Sequence, residues 1–125
     1  MTDNKPVVVL IDDAECEQKL LKAKIFTNSF IIFPARTGKE GMEIILKQNP
    51  DVIISDVAVP KGDIFWILEQ VKSNEEIKDT PFIAFTTLTN PSDKNNVLKS
   101  GADKYVLKHE CTPAKLRQHI KELLN

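Results

Sequence analysis

The sequence predicts an α/β fold in which a five-stranded parallel sheet is covered by helices on both faces. Three observations lead there. Five short runs are almost wholly apolar, which marks strands buried on both sides. Stretches with apolar residues at helical spacing separate them. Four of the five runs stop at polar residues of a kind that bind ligands: Asp12-Asp13, Ser55-Asp56, Thr86-Thr87 and Lys108.

The first strand is VVVLI, Val7–Ile11. A helix should follow, with Leu20, Leu21, Lys24 and Ile25 along one face. Residues 30–33 (FIIF) are the second strand. Thr37 and Glu40 have the spacing of a capping box, Met42, Ile45 and Leu46 supply the apolar face of the second helix, and Asn49-Pro50 ends it. Residues 52–54 are the third strand. Pro60-Lys-Gly-Asp63 turns the chain into a third helix carrying Ile64, Phe65, Ile67, Leu68 and Val71. Residues 82–85 (FIAF) form the fourth strand. Asn90 caps the fourth helix and Pro91 opens it, Asp93 favours its first turn, and Gly101 ends it. Val97 and Leu98 are its few apolar residues. Residues 105–107 are the fifth strand. Thr112 and Pro113 start a last helix that buries Leu116, Ile120, Leu123 and Leu124. Right-handed crossovers put helices on both faces once the strand order reverses, and the expected order is the flavodoxin-like 2-1-3-4-5.

The 125 residues suffice for one domain, residues 1–125, with a hydrophobic core that needs no disulfide or metal. Seventeen basic and eighteen acidic residues nearly cancel, and no stripe is basic enough for direct nucleic-acid binding. The apolar runs are far too short to span a membrane, and no secretory leader is recognisable. A cytoplasmic protein is expected, with Cys16 and Cys111 as free thiols, since their spacing matches no metal or redox motif.

The polar strand ends carry the chemistry. In an open parallel sheet these ends share one edge, and ligands bind in the crevice outside it. Asp12, Asp13 and Asp56 would repel one another there and suffer desolvation. A hard cation relieves both, and Mg²⁺ suits two or three carboxylates with retained waters. Lys108 adds positive charge that would stabilise a phosphoryl group, Thr86 offers a hydroxyl donor, and Asp56 is available as a nucleophile.

In their order and separations, VVVLIDD, DVIISDVAVPKGD, PFIAFTT and GADKYVLK resemble the receiver domain of two-component response regulators over essentially the whole chain. The resemblance implies that Asp56 accepts a phosphoryl group from a histidine kinase or phosphotransfer protein. It implies Asp13, with Asp12, Asp56 and the Ala58 carbonyl, as holders of Mg²⁺. Thr86 becomes the switch hydroxyl, Lys108 the phosphate contact and Tyr105 the switch aromatic. The output is a changed surface on the fourth helix, fifth strand and fifth helix, read by a downstream protein or output domain. Such a domain catalyses its own phosphorylation and dephosphorylation but is chiefly a switch.

The sequence also departs from the family. His109 stands where proline usually follows the lysine, so the bond is expected to be either trans with a reshaped loop or a strained cis bond. Gly62 precedes Asp63 where the family's glycine usually follows the aspartate. Thr87 is bulkier than the usual residue and would crowd the route to Asp56. Ala58 and Leu88 occupy positions that tune hydrolysis, and neither can orient water, which points to a long-lived phosphoryl-aspartate. Trp66 is expected to be a partly buried packing residue. These departures keep open a pseudo-receiver, an unphosphorylated protein-binding module. A flavin-binding or phosphatase relative of the fold is disfavoured, because no glycine-rich phosphate loop follows the first strand.

Overall fold

The computed structural model describes residues 5–125, so the first four residues of the expected domain lie outside the described part. Five parallel strands lie in the order β2-β1-β3-β4-β5: β1 Val7–Ile11, β2 Ile31–Ala35, β3 Val52–Ser55, β4 Phe82–Thr86 and β5 Lys104–Leu107. Ile11 pairs with both Ala35 and Ser55, and Thr86 pairs with Leu107. The last residues of these strands therefore stand along one edge.

The helices are α1 Ala14–Lys22, α2 Lys24–Thr27, α3 Gly38–Gln48, α4 Ile64–Lys72, α5 Pro91–Lys99 and α6 Pro113–Leu124. Alternate strand residues feed two separate cores. Val9, Ile11, Ile53, Phe82 and Ala84 pack with residues of α3, α4 and α5, including Ile45, Leu68 and Val97. Val8, Leu10, Ile54, Ile83 and Phe85 pack on the other face with Leu20, Phe26, Leu116 and Ile120. Two-sided burial explains why the strands read as unbroken apolar runs. Each valine, leucine, isoleucine or phenylalanine among them contributes about 1.5–3 kcal/mol on burial.

Local chemistry sets the helix starts. The carboxylate of Asp63 accepts from Trp66 N at 3.1 Å, the Asn90 side chain from Ser92 N at 2.9 Å, and the Thr112 hydroxyl from Lys115 N at 3.2 Å. The Thr37 hydroxyl accepts from Glu40 N at 3.0 Å. The return arm of that expected capping box reaches one residue further back, where Glu40 Oε1 accepts from Arg36 N at 2.8 Å. Asn49 ends α3 in the left-handed region at φ 47°, and Gly101 takes φ 118° just beyond α5.

Four expectations change. The first helix is not continuous: Ala23 is extended, at ψ 106°, and a short second helix follows. The break rotates the register, so Leu21 and Ile25 are exposed while Phe26 is buried. Because of α2, the fourth and fifth expected helices are α5 and α6. The second strand runs later than residues 30–33. Phe30 stays in an edge-to-face contact with Phe26, ring centroids 4.9 Å apart, and β2 continues through Pro34, which an edge strand tolerates. Trp66 is more exposed than expected, at 37%. Leu123 and Leu124 are only partly buried, against the α6 side of the core. Among the described residues, no helix is long and apolar enough to cross a membrane.

Candidate functional site

The carboxyl edge of the sheet brings Asp12, Asp56 and Lys108 together. Asp56 follows β3, and its N–H donates to Ile11 O at 3.0 Å, which locks it beside the end of β1. Lys108 follows β5 and reaches across the edge. Its Nζ lies 2.8 Å from Asp12 Oδ1 and 3.0 Å from Asp56 Oδ2. The other Asp56 oxygen, Oδ1, accepts from Val57 N at 2.6 Å. Asp12 Oδ1 also accepts from Asp13 N at 2.7 Å.

The electrostatics follow from burial. The Asp12 side chain is 1% exposed, and desolvation pushes its carboxyl above the usual carboxylate range, partly opposed by Lys108 and the Asp13 N–H. Desolvation alone would lower the Lys108 ammonium, but its hydrogen bonds and charge pairing with Asp12 and Asp56 outweigh it and hold the ammonium above its ordinary value. Asp12 Oδ2 is buried without a hydrogen-bond partner. An unpaired buried carboxylate oxygen is costly. It is the atom here that most needs a positive ligand.

A cavity of about 220 Å³ has Asp12, Asp13, Arg36, Asp56, Ala58 and Pro60 in its lining. The expected close set of three acidic side chains is not assembled as such. Among the described residues, no group of three His, Cys, Asp or Glu is arranged to hold a metal ion. Asp13 is exposed and caps α1 by accepting from Cys16 N at 2.9 Å. Two carboxylates remain, with Asp13 and Ala58 at the cavity wall. That donor set fits a cation that retains several waters, as Mg²⁺ does.

Thr86 and Tyr105 sit apart from this cavity but are joined through one residue. Thr86 is buried, and its Oγ1 accepts from Leu88 N at 3.3 Å. The half-buried Tyr105 donates its hydroxyl to Leu88 O at 2.9 Å. Thr87 lines a different cavity, of about 290 Å³, between Asp13, Cys16, Phe85, Lys108 and Cys111. Both cysteines are free, Cys111 buried and Cys16 half-buried. There are no cis peptide bonds among the described residues, so the Lys108–His109 bond is trans, and a 3₁₀ turn over Lys108–Glu110 reshapes the loop.

Sequence reasoning missed Arg36, which follows β2 on the same edge and pairs with Glu17 at 3.1 Å. The rule that strand ends converge would have found it. It also missed the contact of Gly38 with Gly62, for which the sequence carries no signal.

A doubly wound parallel sheet with a lysine-bridged acidic cleft at its carboxyl edge defines a receiver-type signalling module. The chain matches the response regulator receiver domain family over residues 8–121 and belongs to it. It is 28% identical over 122 residues to the probable transcriptional regulator ycf27 of Guillardia theta, covering 98% of this chain and 46% of that protein. The chain thus spans about half the length of this and the other curated ycf27 regulators it matches. Among solved structures it resembles the signal receiver domain of a histidine kinase from Syntrophus aciditrophicus, at 28% identity and TM-score 0.81 over 95% of this chain and 89% of that one. The receiver domain of the sensor histidine kinase PA1611 of Pseudomonas aeruginosa, which carries a magnesium ion in its active-site cleft, shares the fold at TM-score 0.83 and 20% identity, over 97% and 98% of the two chains.

Proposed function

We propose that the chain is a phosphoacceptor switch in which Asp56 takes a phosphoryl group from a phosphohistidine of a kinase or phosphotransfer protein, in a Mg²⁺-dependent reaction. An Asp56 carboxylate oxygen bonds to phosphorus, the P–N bond breaks, and the imidazole leaves with a proton. The observation that carries this reading is the joining of Asp12 and Asp56 by Lys108 in the lining of one cleft, with Asp12 Oδ2 buried and unpartnered. A magnesium ion in the PA1611 cleft supports the same choice of cation.

Asp12 and Asp56, with Asp13 and the Ala58 carbonyl, would hold Mg²⁺. The ion would neutralise charge gathering on the phosphoryl oxygens. Lys108 is already poised between Asp12 and Asp56 and would turn its ammonium to a phosphoryl oxygen. The Thr86 hydroxyl would donate to another. Drawing Thr86 toward the phosphoryl group strains its bond with Leu88 N, and Tyr105 hangs from the carbonyl of the same residue. That linkage supports a switch that alters the α5, β5 and α6 surface presented to a downstream protein or output domain. Phosphorylation need only bias two states a few kcal/mol apart.

The test is incubation with a small phosphodonor and Mg²⁺, read by intact mass. Wild type should gain one phosphoryl group and D56N none. No gain at saturating donor and metal would replace this reading with that of an unphosphorylated binding module.

A further inference from the structure

We propose that the first turn of α3 clamps the loop following Asp56, and that Gly38 is a positioning residue for that loop. The inference rests on the reading of the Asp56 cleft as a Mg²⁺-dependent phosphoacceptor site.

Backbone N–H groups at a helix start lack partners inside the helix. In α3 two of them bond to the acceptor loop: Gly38 N donates to Pro60 O at 3.0 Å and Lys39 N to Lys61 O at 2.9 Å. The next, Glu40 N, goes to the Thr37 hydroxyl at 3.0 Å. The loop offers these carbonyls by an unusual route, with Lys61 at φ 53° and Gly62 at φ 108°. A non-glycine residue in the left-handed region persists only where its surroundings hold it there.

The approach is too close for any side chain at position 38. A Cβ there would lie 1.9 Å from Gly62 O and 2.6 Å from its carbonyl carbon. Both atoms are main chain and cannot rotate away. Any larger residue must push apart α3 and the loop. Pro60, an acceptor of the clamp, also lines the cleft with Ala58 and Asp56. The clamp therefore sets one wall of the cleft from outside it, without any side chain entering. The Trp66 ring also packs on the loop at Gly62, where an added Cβ would meet Cε3 at 2.4 Å. Trp66 is the sole tryptophan of the chain, so its emission reports the loop.

The experiment titrates MgCl₂ into the full chain, followed by Trp66 fluorescence and calorimetry, with no phosphodonor. G38A should stay helical by circular dichroism, change the metal-free Trp66 emission, and bind Mg²⁺ about tenfold or more weakly, as loss of a supporting contact does. T37A and T112A form a matched pair, since each removes a threonine N-cap, but only α3 grips the loop. T37A should weaken Mg²⁺ binding and T112A should not. Folded G38A with wild-type affinity and emission overturns the clamp alone. If G38A does not fold, equal affinities of T37A and T112A overturn it. No Mg²⁺ binding by wild type overturns the cleft reading and the positioning role with it.

Discussion

The ammonium of Lys108 lies 3.0 Å from Asp56 Oδ2, across 52 residues of sequence, and the same nitrogen holds Asp12 Oδ1 at 2.8 Å. One lysine thus spans the two acidic strand ends that form the cleft. It neutralises part of their charge while leaving the Asp12 Oδ2 atom bare.

Replacing Lys108 with methionine should destabilise the metal-free chain by about 1.5–3 kcal/mol, the range for hydrogen bonds to charged groups. Mg²⁺ should recover part of that loss. Urea unfolding with and without the ion measures both effects. Phosphorylation from a small donor should slow by about a hundredfold, as when one preorganised donor to developing charge is removed. An unchanged rate would show that Lys108 does not touch the phosphoryl group.

D12N should leave the metal-free chain at least as stable as wild type while weakening Mg²⁺ binding by about tenfold or more. The sign follows from the raised Asp12 carboxyl. Desolvation makes its ionised form less favourable in the folded chain than in the unfolded one, so its contribution to stability falls as pH rises through the folded value. A neutral amide removes that cost. Thermal unfolding at pH 7 together with a Mg²⁺ titration separates the two outcomes.

A58N and L88E should shorten the lifetime of the phosphoryl group on Asp56. Ala58 lines the cleft and Leu88 is 37% exposed beside Thr86, so a polar side chain at either place can hold an attacking water that the native residues cannot. Decay of the phosphorylated mass in Mg²⁺ gives the rates. Fast loss in wild type that neither change accelerates would contradict this.

His119 should lend the chain a shallow pH dependence. Burial and the charge of Lys104, whose Nζ is 3.0 Å from His119 Nδ1, hold the imidazole below its ordinary 6.5, against the pull of Glu122. The unfolded chain therefore takes up this proton first. Its contribution to stability is complete above about pH 6.5 and is lost as pH falls from there toward the lower folded value. The difference in urea midpoint between wild type and H119Q should shift in that direction from pH 8 to pH 5. A shift of the opposite sign would show that His119 is stabilised in its charged form.

The strands, their order and the meeting of Asp12, Asp56 and Lys108 were legible in the amino-acid sequence. Two-sided burial removes polar residues from a parallel strand, so VVVLI and FIAF announce themselves, and parallel topology places every strand's last residues on one edge. Caps such as Thr37, Asn90 and Thr112 were equally readable, because they bond within a few residues of themselves. Other features depended on contacts between distant segments. The turn at Ala23 that buries Phe26 in place of Ile25, the use of Asp13 as a cap, the arrival of Arg36 and the contact of Gly38 with Gly62 O are of this kind. Local periodicity carries only which residues are apolar and how they are spaced. Which atom ends up within bonding distance of which is set by how the finished layers pack.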